Sequence, residues 1–177
     1  MGRGFERLEQ ALIVIGVMKK DGLVLDYAVG GAIAAMFYVE TVLTYDLDVF
    51  ILLPKSQTTL VTLSPIYEYA RNRGYEVRDE HINMEGIPVQ MIPAYNSLVE
   101  EAVAEATETT YGRTRIRVLR AEHLLAIMLQ TSRPKDKARA AQFLDEAEVD
   151  MGYFSTVLSH HGLEHKWQEF QRQRDGR

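Results

Sequence analysis

The sequence predicts an α/β fold of the α+β kind, with a small mixed sheet flanked by helices and followed by a C-terminal helical extension. Three observations lead there. Apolar residues at three- and four-residue steps open the chain, with Leu8, Leu12, Ile15 and Met18 on one helical stripe. Short β-branched or aromatic runs bounded by glycine, proline or asparagine then recur between residues 25 and 119. From Ala121 onward the pattern is helical throughout. The division expected is an α/β core with its N-terminal helix over residues 1–120 and a helical region over 121–177 packed on that core.

Composition bounds the function before any motif is read. The 177 residues suffice for one domain with a small extension. An apolar share of 46% with 25% charged residues is that of a globular chain. No apolar run approaches the roughly 18 residues a membrane span needs. The strongest, "ALIVIGVM" at 11–18, ends at Lys19 and Lys20. The first twenty residues lack a cationic start followed by a small-residue cleavage site, so a cytoplasmic location and no membrane partner are expected. The absence of cysteine excludes disulfides, zinc ribbons and thiol nucleophiles. A net charge of −5 argues against non-specific coating of nucleic acid, although "RPKDKAR" (133–139) is locally basic.

The elements follow in order. After the first helix, which stops near Gly22, "LDYAV" (25–29) reads as a short strand leading into Gly30-Gly31, and "AIAAMFY" (32–38) as a helix starting directly behind the glycines. "YDLDVFILL" (45–53) is the most strand-like stretch, stopped by Pro54. Ser64 is placed as an N-cap with Pro65 at the first helical position, and Gly74 closes the helix after "IYEYARNR". "YEVRDEHI" (75–82) and "IPVQMIP" (87–93) flank a turn at 83–86 and read as an antiparallel hairpin. "SLVEEAVAEA" (97–106) is helical, and "RTRIRVL" (113–119) is expected to be the last strand. Three or four helices then follow, broken near Pro134, Asp150 and Gly162.

Chemistry concentrates at Asp46 and Asp48. Two residues apart on a strand, they share a face while Leu47 and Val49 enter the core. Adjacent carboxylates repel, and a divalent cation relieves that repulsion, Mg²⁺ being suited to carboxylate oxygens together with phosphates. The plain alternative is a strand end with both acids exposed. Gly30-Gly31 reads either as a simple turn or as a close approach to an anion. "RPKDKAR" is either a solvated helix start, with Asp136 near the N-terminal dipole, or a contact for RNA or triphosphate through Arg133 and Lys135. Arg113, Arg115 and Arg117 alternate along their strand and either meet phosphate or face solvent. His161 and His165 stand four apart, but Gly162 interrupts the helix between them and argues against a metal pair. His123 reads as a surface or partly buried helix residue and Trp167 as packing for the last helix.

The Gly-Gly turn, the helix behind it and the Asp-x-Asp strand together resemble the nucleotidyltransferase superfamily and its minimal core. "EHLLAIMLQTSRPKDKARAAQFL" (122–144) is similar to the helical segment of the AbiEii-like group, toxin components of type IV toxin–antitoxin and abortive-infection systems. The resemblance covers most of residues 25–145 and implies a role for each motif. Gly30 and Gly31 would hold a triphosphate, with Arg133 and Lys135 as further nucleotide contacts, and Asp46 and Asp48 would bind Mg²⁺. The implied activity is transfer of a nucleotidyl group from an NTP to a hydroxyl of RNA, a protein or a small molecule, with RNA or a cognate antitoxin as possible partners. Two positions depart from the pattern. Gln90 stands where a third carboxylate is expected, and Met128 stands about where the AbiEii-like helix often carries lysine, leaving Arg133, Lys135 or Lys137 as replacements. Glu85, Asp79 and Glu80 are the nearby acids that could substitute for Gln90, and spacing selects none of them. A catalytically reduced nucleotide-binding or protein-interaction module is the alternative these departures imply.

Overall fold

The computed structural model describes residues 2–40, 46–54 and 62–176. Its elements run α1 (Gly2–Lys20), β1 (Asp26–Val29), α2 (Gly31–Ala35), β2 (Leu47–Leu52), α3 (Ser64–Asn72), β3 (Glu76–Arg78), β4 (His81–Met84), β5 (Ile87–Pro93), α4 (Ser97–Ala104), β6 (Thr107–Tyr111) and β7 (Thr114–Val118). Four helices close the chain: α5 (Ala121–Thr131), α6 (Pro134–Glu146), α7 (Met151–His160) and α8 (Glu164–Asp175).

Among the described residues, seven strands join one mixed sheet in the order β3-β4-β5-β2-β1-β7-β6. At its centre β2 is antiparallel to β1 and parallel to β5, and β1 is parallel to β7. The central strand alternates sharply. Leu47, Val49 and Ile51 are fully buried, so Asp48 and Phe50 belong to the opposite face. Helix α4 packs on β1 and β2, while α1 reaches β4, β5 and β7. One continuous core runs from Leu8, Leu12 and Ile15 through the sheet to Leu125, Phe143, Phe154 and Phe170.

Several expected boundaries shift, each for a local reason. Helix α2 is only five residues long and ends in a turn at Met36, because "MFY" leaves the helix with Met36 and Phe37 exposed. The strand expected over 45–53 spans Leu47–Leu52, with Asp46 at its mouth; Tyr45 lies outside the described residues. Ser64 is the first helical residue of α3 and Leu63 its cap, the Ser64 backbone N–H being satisfied by Thr62 Oγ1 at 3.2 Å. The expected hairpin arm 75–82 splits into β3 and β4 at Asp79, whose φ of 54° turns the chain. A strand missed in the sequence, β6, pairs with β7 across Gly112. Its residues "TETTY" lack an apolar alternation because β6 lies at the sheet's edge, exposed or half-buried along its length.

Candidate active site

The glycine turn and the acidic strand meet directly. The Gly30 N–H donates to the Asp48 carbonyl oxygen at 2.9 Å, tying the end of β1 to β2. Gly31 follows with φ at +55°, and a Cβ built there would stand 2.0 Å from Asp48 Oδ2. A Cβ on Gly30 would collide with the Phe50 ring at 2.2 Å. Both glycines are therefore required by close approach, Gly31 also by its left-handed backbone. The short α2 begins at this same point, so its first amides lie beside the carboxylate strand.

Asp46 is exposed at the mouth of β2 and Asp48 half-buried inside it. Burial, and next the Asp46 charge, raise the Asp48 carboxyl above its ordinary range, against the pull of Lys135, Arg139 and Arg133. That balance shows two things. Asp46 repels the Asp48 charge, and three cations of the α6 segment lie within electrostatic range of Asp48. Arg133 and Lys135, the cations the sequence offered as nucleotide contacts, thus act electrostatically on Asp48. Arg139 was missed, though the four-residue step from Lys135 places both on one helical face. Lys137, two residues on, instead donates to Gln173 of α8 at 3.1 Å.

Arg133 serves a second purpose. Its Nε lies 2.6 Å from Asp136 Oδ2, and Thr131 Oγ1 donates to the same oxygen at 2.8 Å. Burial works against the Asp136 charge, but these hydrogen bonds prevail and hold its carboxyl below the usual range. Asp136 is thus a buried lock for the α5–α6 corner, at 4% exposure, and not a solvated cap.

Gln90 sits beside Asp48 in the parallel β2–β5 register. Its Nε2 donates to Glu80 Oε2 at 3.0 Å, so of the acids near this strand Glu80 is the one joined to Gln90. The sequence could not select it, because the turn at Asp79 and the β4–β5 pairing decide which side chain reaches Gln90. Glu85 instead accepts from the Tyr75 hydroxyl at 3.2 Å.

Other sequence candidates lie elsewhere. Arg117 ion-pairs with Asp26 and donates to the carbonyls of Ala104 and Ala106 at 3.0 and 3.1 Å, a structural pin. The Arg113 backbone N–H donates to Glu9 at 2.7 Å. Trp167 packs edge-on against Phe154 and stacks on Phe170. His123 is fully buried, beyond the surface or partly buried position expected, because α5 is covered by α4 and α7.

The arrangement defines a nucleotidyltransferase-like fold, and solved structures agree. An antigenic nucleotidyltransferase-like protein from Paracoccidioides brasiliensis superposes with a TM-score of 0.53 and 13% identity, over 79% of this chain and 76% of that one. ANT(2″)-Ia, solved with adenylyl-2″-tobramycin, superposes with a TM-score of 0.50 and 15% identity, over 94% of this chain and 99% of that one. No family profile and no curated protein matches the sequence. Among the described residues, no helix is long and apolar enough to cross a membrane.

Proposed function

We propose that this chain binds a nucleoside triphosphate with Mg²⁺ at the Asp46–Asp48 corner and transfers the nucleotidyl group to a hydroxyl. The observation that carries this reading is the close contact of Gly31 with Asp48, which sets the glycine turn and the start of α2 directly against the acidic strand with no side chain between them. Mg²⁺ suits the donor set, since Asp48 is raised by burial and by Asp46, a repulsion that a divalent cation relieves. Bound Mg²⁺ would neutralise the triphosphate and acidify the attacking hydroxyl.

The chain's own groups would do the rest. Gly30 and Gly31 let the backbone approach the phosphates, and Lys135, Arg139 and Arg133 supply positive charge from the other side. In the transfer, the acceptor oxygen bonds to the α-phosphorus as the bond to the bridging oxygen breaks, and pyrophosphate leaves. The hydroxyl proton needs an acceptor. Gln90 cannot take it, and Glu80, held by the Gln90 amide, is the carboxylate we assign to that role.

The finer reading is an AbiEii-like protein, for which Arg133, Lys135 and Asp136 after α5 are the support, and which would bring RNA or a cognate antitoxin as partner. A small hydroxylated acceptor is the rival to an RNA or protein hydroxyl, a reading supported by the likeness to ANT(2″)-Ia, solved with adenylyl-2″-tobramycin, a small molecule already carrying the adenylyl group. Gln90 also supports a second reading, a catalytically reduced nucleotide binder or protein-interaction module. Incubation with α-labelled NTPs, Mg²⁺ and a panel of RNA, protein and amino-sugar acceptors separates the readings. Transfer with pyrophosphate release, abolished in Asp46→Asn/Asp48→Asn and reduced about 10²- to 10⁴-fold in Glu80→Gln, supports the enzyme. Mg²⁺-dependent nucleotide binding without pyrophosphate release supports the reduced binder, and transfer unchanged in the double variant overturns the site.

A further inference from the structure

A second cluster of ligating groups lies on other elements. Glu101, on α4, collects three imidazoles. His161 Nε2 stands 3.1 Å and His160 Nδ1 2.9 Å from Glu101 Oε2, while His123 Nε2 stands 3.2 Å from Oε1. One carboxylate needs a single counter-charge, so three imidazoles exceed what its charge requires. The His160 and His161 rings are 4.7 Å apart, and protonating both would set like charges side by side. A single cation uses both lone pairs instead.

We propose that Glu101, His160 and His161 form a site for a first-row divalent cation of the zinc class, clasping α4 to the end of α7. Their ligand atoms all lie within 4.8 Å of one another. Tetrahedral zinc with bonds of about 2.0–2.2 Å separates its ligand atoms by about 3.3–3.5 Å, so the ion is admitted when the two short contacts open by a few tenths of an ångström and the two imidazole nitrogens, within 4.8 Å of each other, take the same spacing.

The surrounding groups favour the ligating forms. Ser97 Oγ lies 3.3 Å from His161 Nδ1, and by accepting that N–H it leaves the Nε2 lone pair directed at the cluster. His123, at 0% exposure, donates to Oε1 and keeps Oε2 turned toward the other two histidines. Its Nδ1 finds no hydrogen-bond partner among the described residues, and the ring is held by the bond to Glu101 and by edge-on packing against Tyr153. His161 is almost wholly covered and anchors the site, whereas the His160 side chain is 69% exposed and leaves a route from solvent and a fourth position for water. Imidazole donors suit zinc, nickel or copper and disfavour magnesium, so this site is independent of the nucleotide corner.

The test uses the full chain without added histidines, stripped with a chelator and titrated near neutral pH with Co²⁺ by absorbance and with Zn²⁺ in competition. The expected result is saturable, stoichiometric binding with a tetrahedral Co²⁺ spectrum. His160→Ala, an exposed change that leaves the core intact, should lose at least tenfold in affinity, and Ser97→Ala about tenfold. Asp46→Asn/Asp48→Asn should bind as the parent. The proposal is overturned by no saturable binding up to millimolar metal, by unchanged affinity in His160→Ala, or by binding lost in the double aspartate variant.

Discussion

Gly31 is the residue at which backbone, packing and chemistry meet. Any L side chain there would adopt φ near +55° and press on the Asp48 carboxylate. Gly31→Ala is expected to cost at least about 1–2 kcal/mol from the left-handed conformation alone, read as a lowered denaturation midpoint, and to abolish nucleotide binding. Asp48 itself carries a cost. Its carboxyl, raised first by burial and then by Asp46, holds a proton more tightly in the folded than in the unfolded chain. Stability from this group is therefore lost as pH rises from the ordinary carboxylate range through the raised value. Asp48→Asn should accordingly raise Tm at neutral pH while removing Mg²⁺-dependent nucleotide binding. For a chain of this size each 1 kcal/mol moves Tm by about 2–4 °C. A Tm lowered by that change would contradict the electrostatic assignment.

At the scale of elements, the C-terminal helices are held by apolar packing and by a few buried polar locks. Phe143 of α6 is fully buried and meets Tyr38 edge-on, with centroids 5.6 Å apart. Phe143→Ala should cost about 3–5 kcal/mol, and because α6 carries Lys135 and Arg139 it should weaken nucleotide binding as well. His123 couples α5 to α4. Burial lowers its pKa, with Arg120 acting in the same direction and Glu101 and Glu122 opposing. A depressed histidine is protonated more readily when unfolded, so its contribution is present at and above the ordinary imidazole range and is lost as pH falls below it. In metal-free protein, His123→Gln should flatten the decline in Tm below that range. An unaltered slope would locate the titration elsewhere.

These elements also show what was readable beforehand. The Gly-Gly turn and the acidic strand were legible because each rests on a local rule, glycine's backbone freedom and the two-residue period of a strand. Strand β6 was not, since an edge strand with no fully buried residue lacks apolar alternation. Glu80 and the Glu101 cluster were not legible either. The first depends on strand pairing and the second on α4, α5 and α7 packing together, and both are tertiary facts.

For the whole molecule, the sheet order sets the geometry of the candidate site. Placing β2 between β1 and β5 brings the glycine turn to one side of Asp48 and Gln90 to the other. The chain then returns through α5, and α6 brings its cations to the same corner. The most direct test of that convergence is thermal unfolding with each of the four NTPs, with and without Mg²⁺. A ligand at 100 times its Kd adds about 2.7 kcal/mol. The account predicts that Mg²⁺ and at least one NTP together raise Tm by about 5–10 °C at that excess, and that the rise is lost in Asp46→Asn/Asp48→Asn. No shift with any NTP, or a shift retained in the double variant, would contradict it.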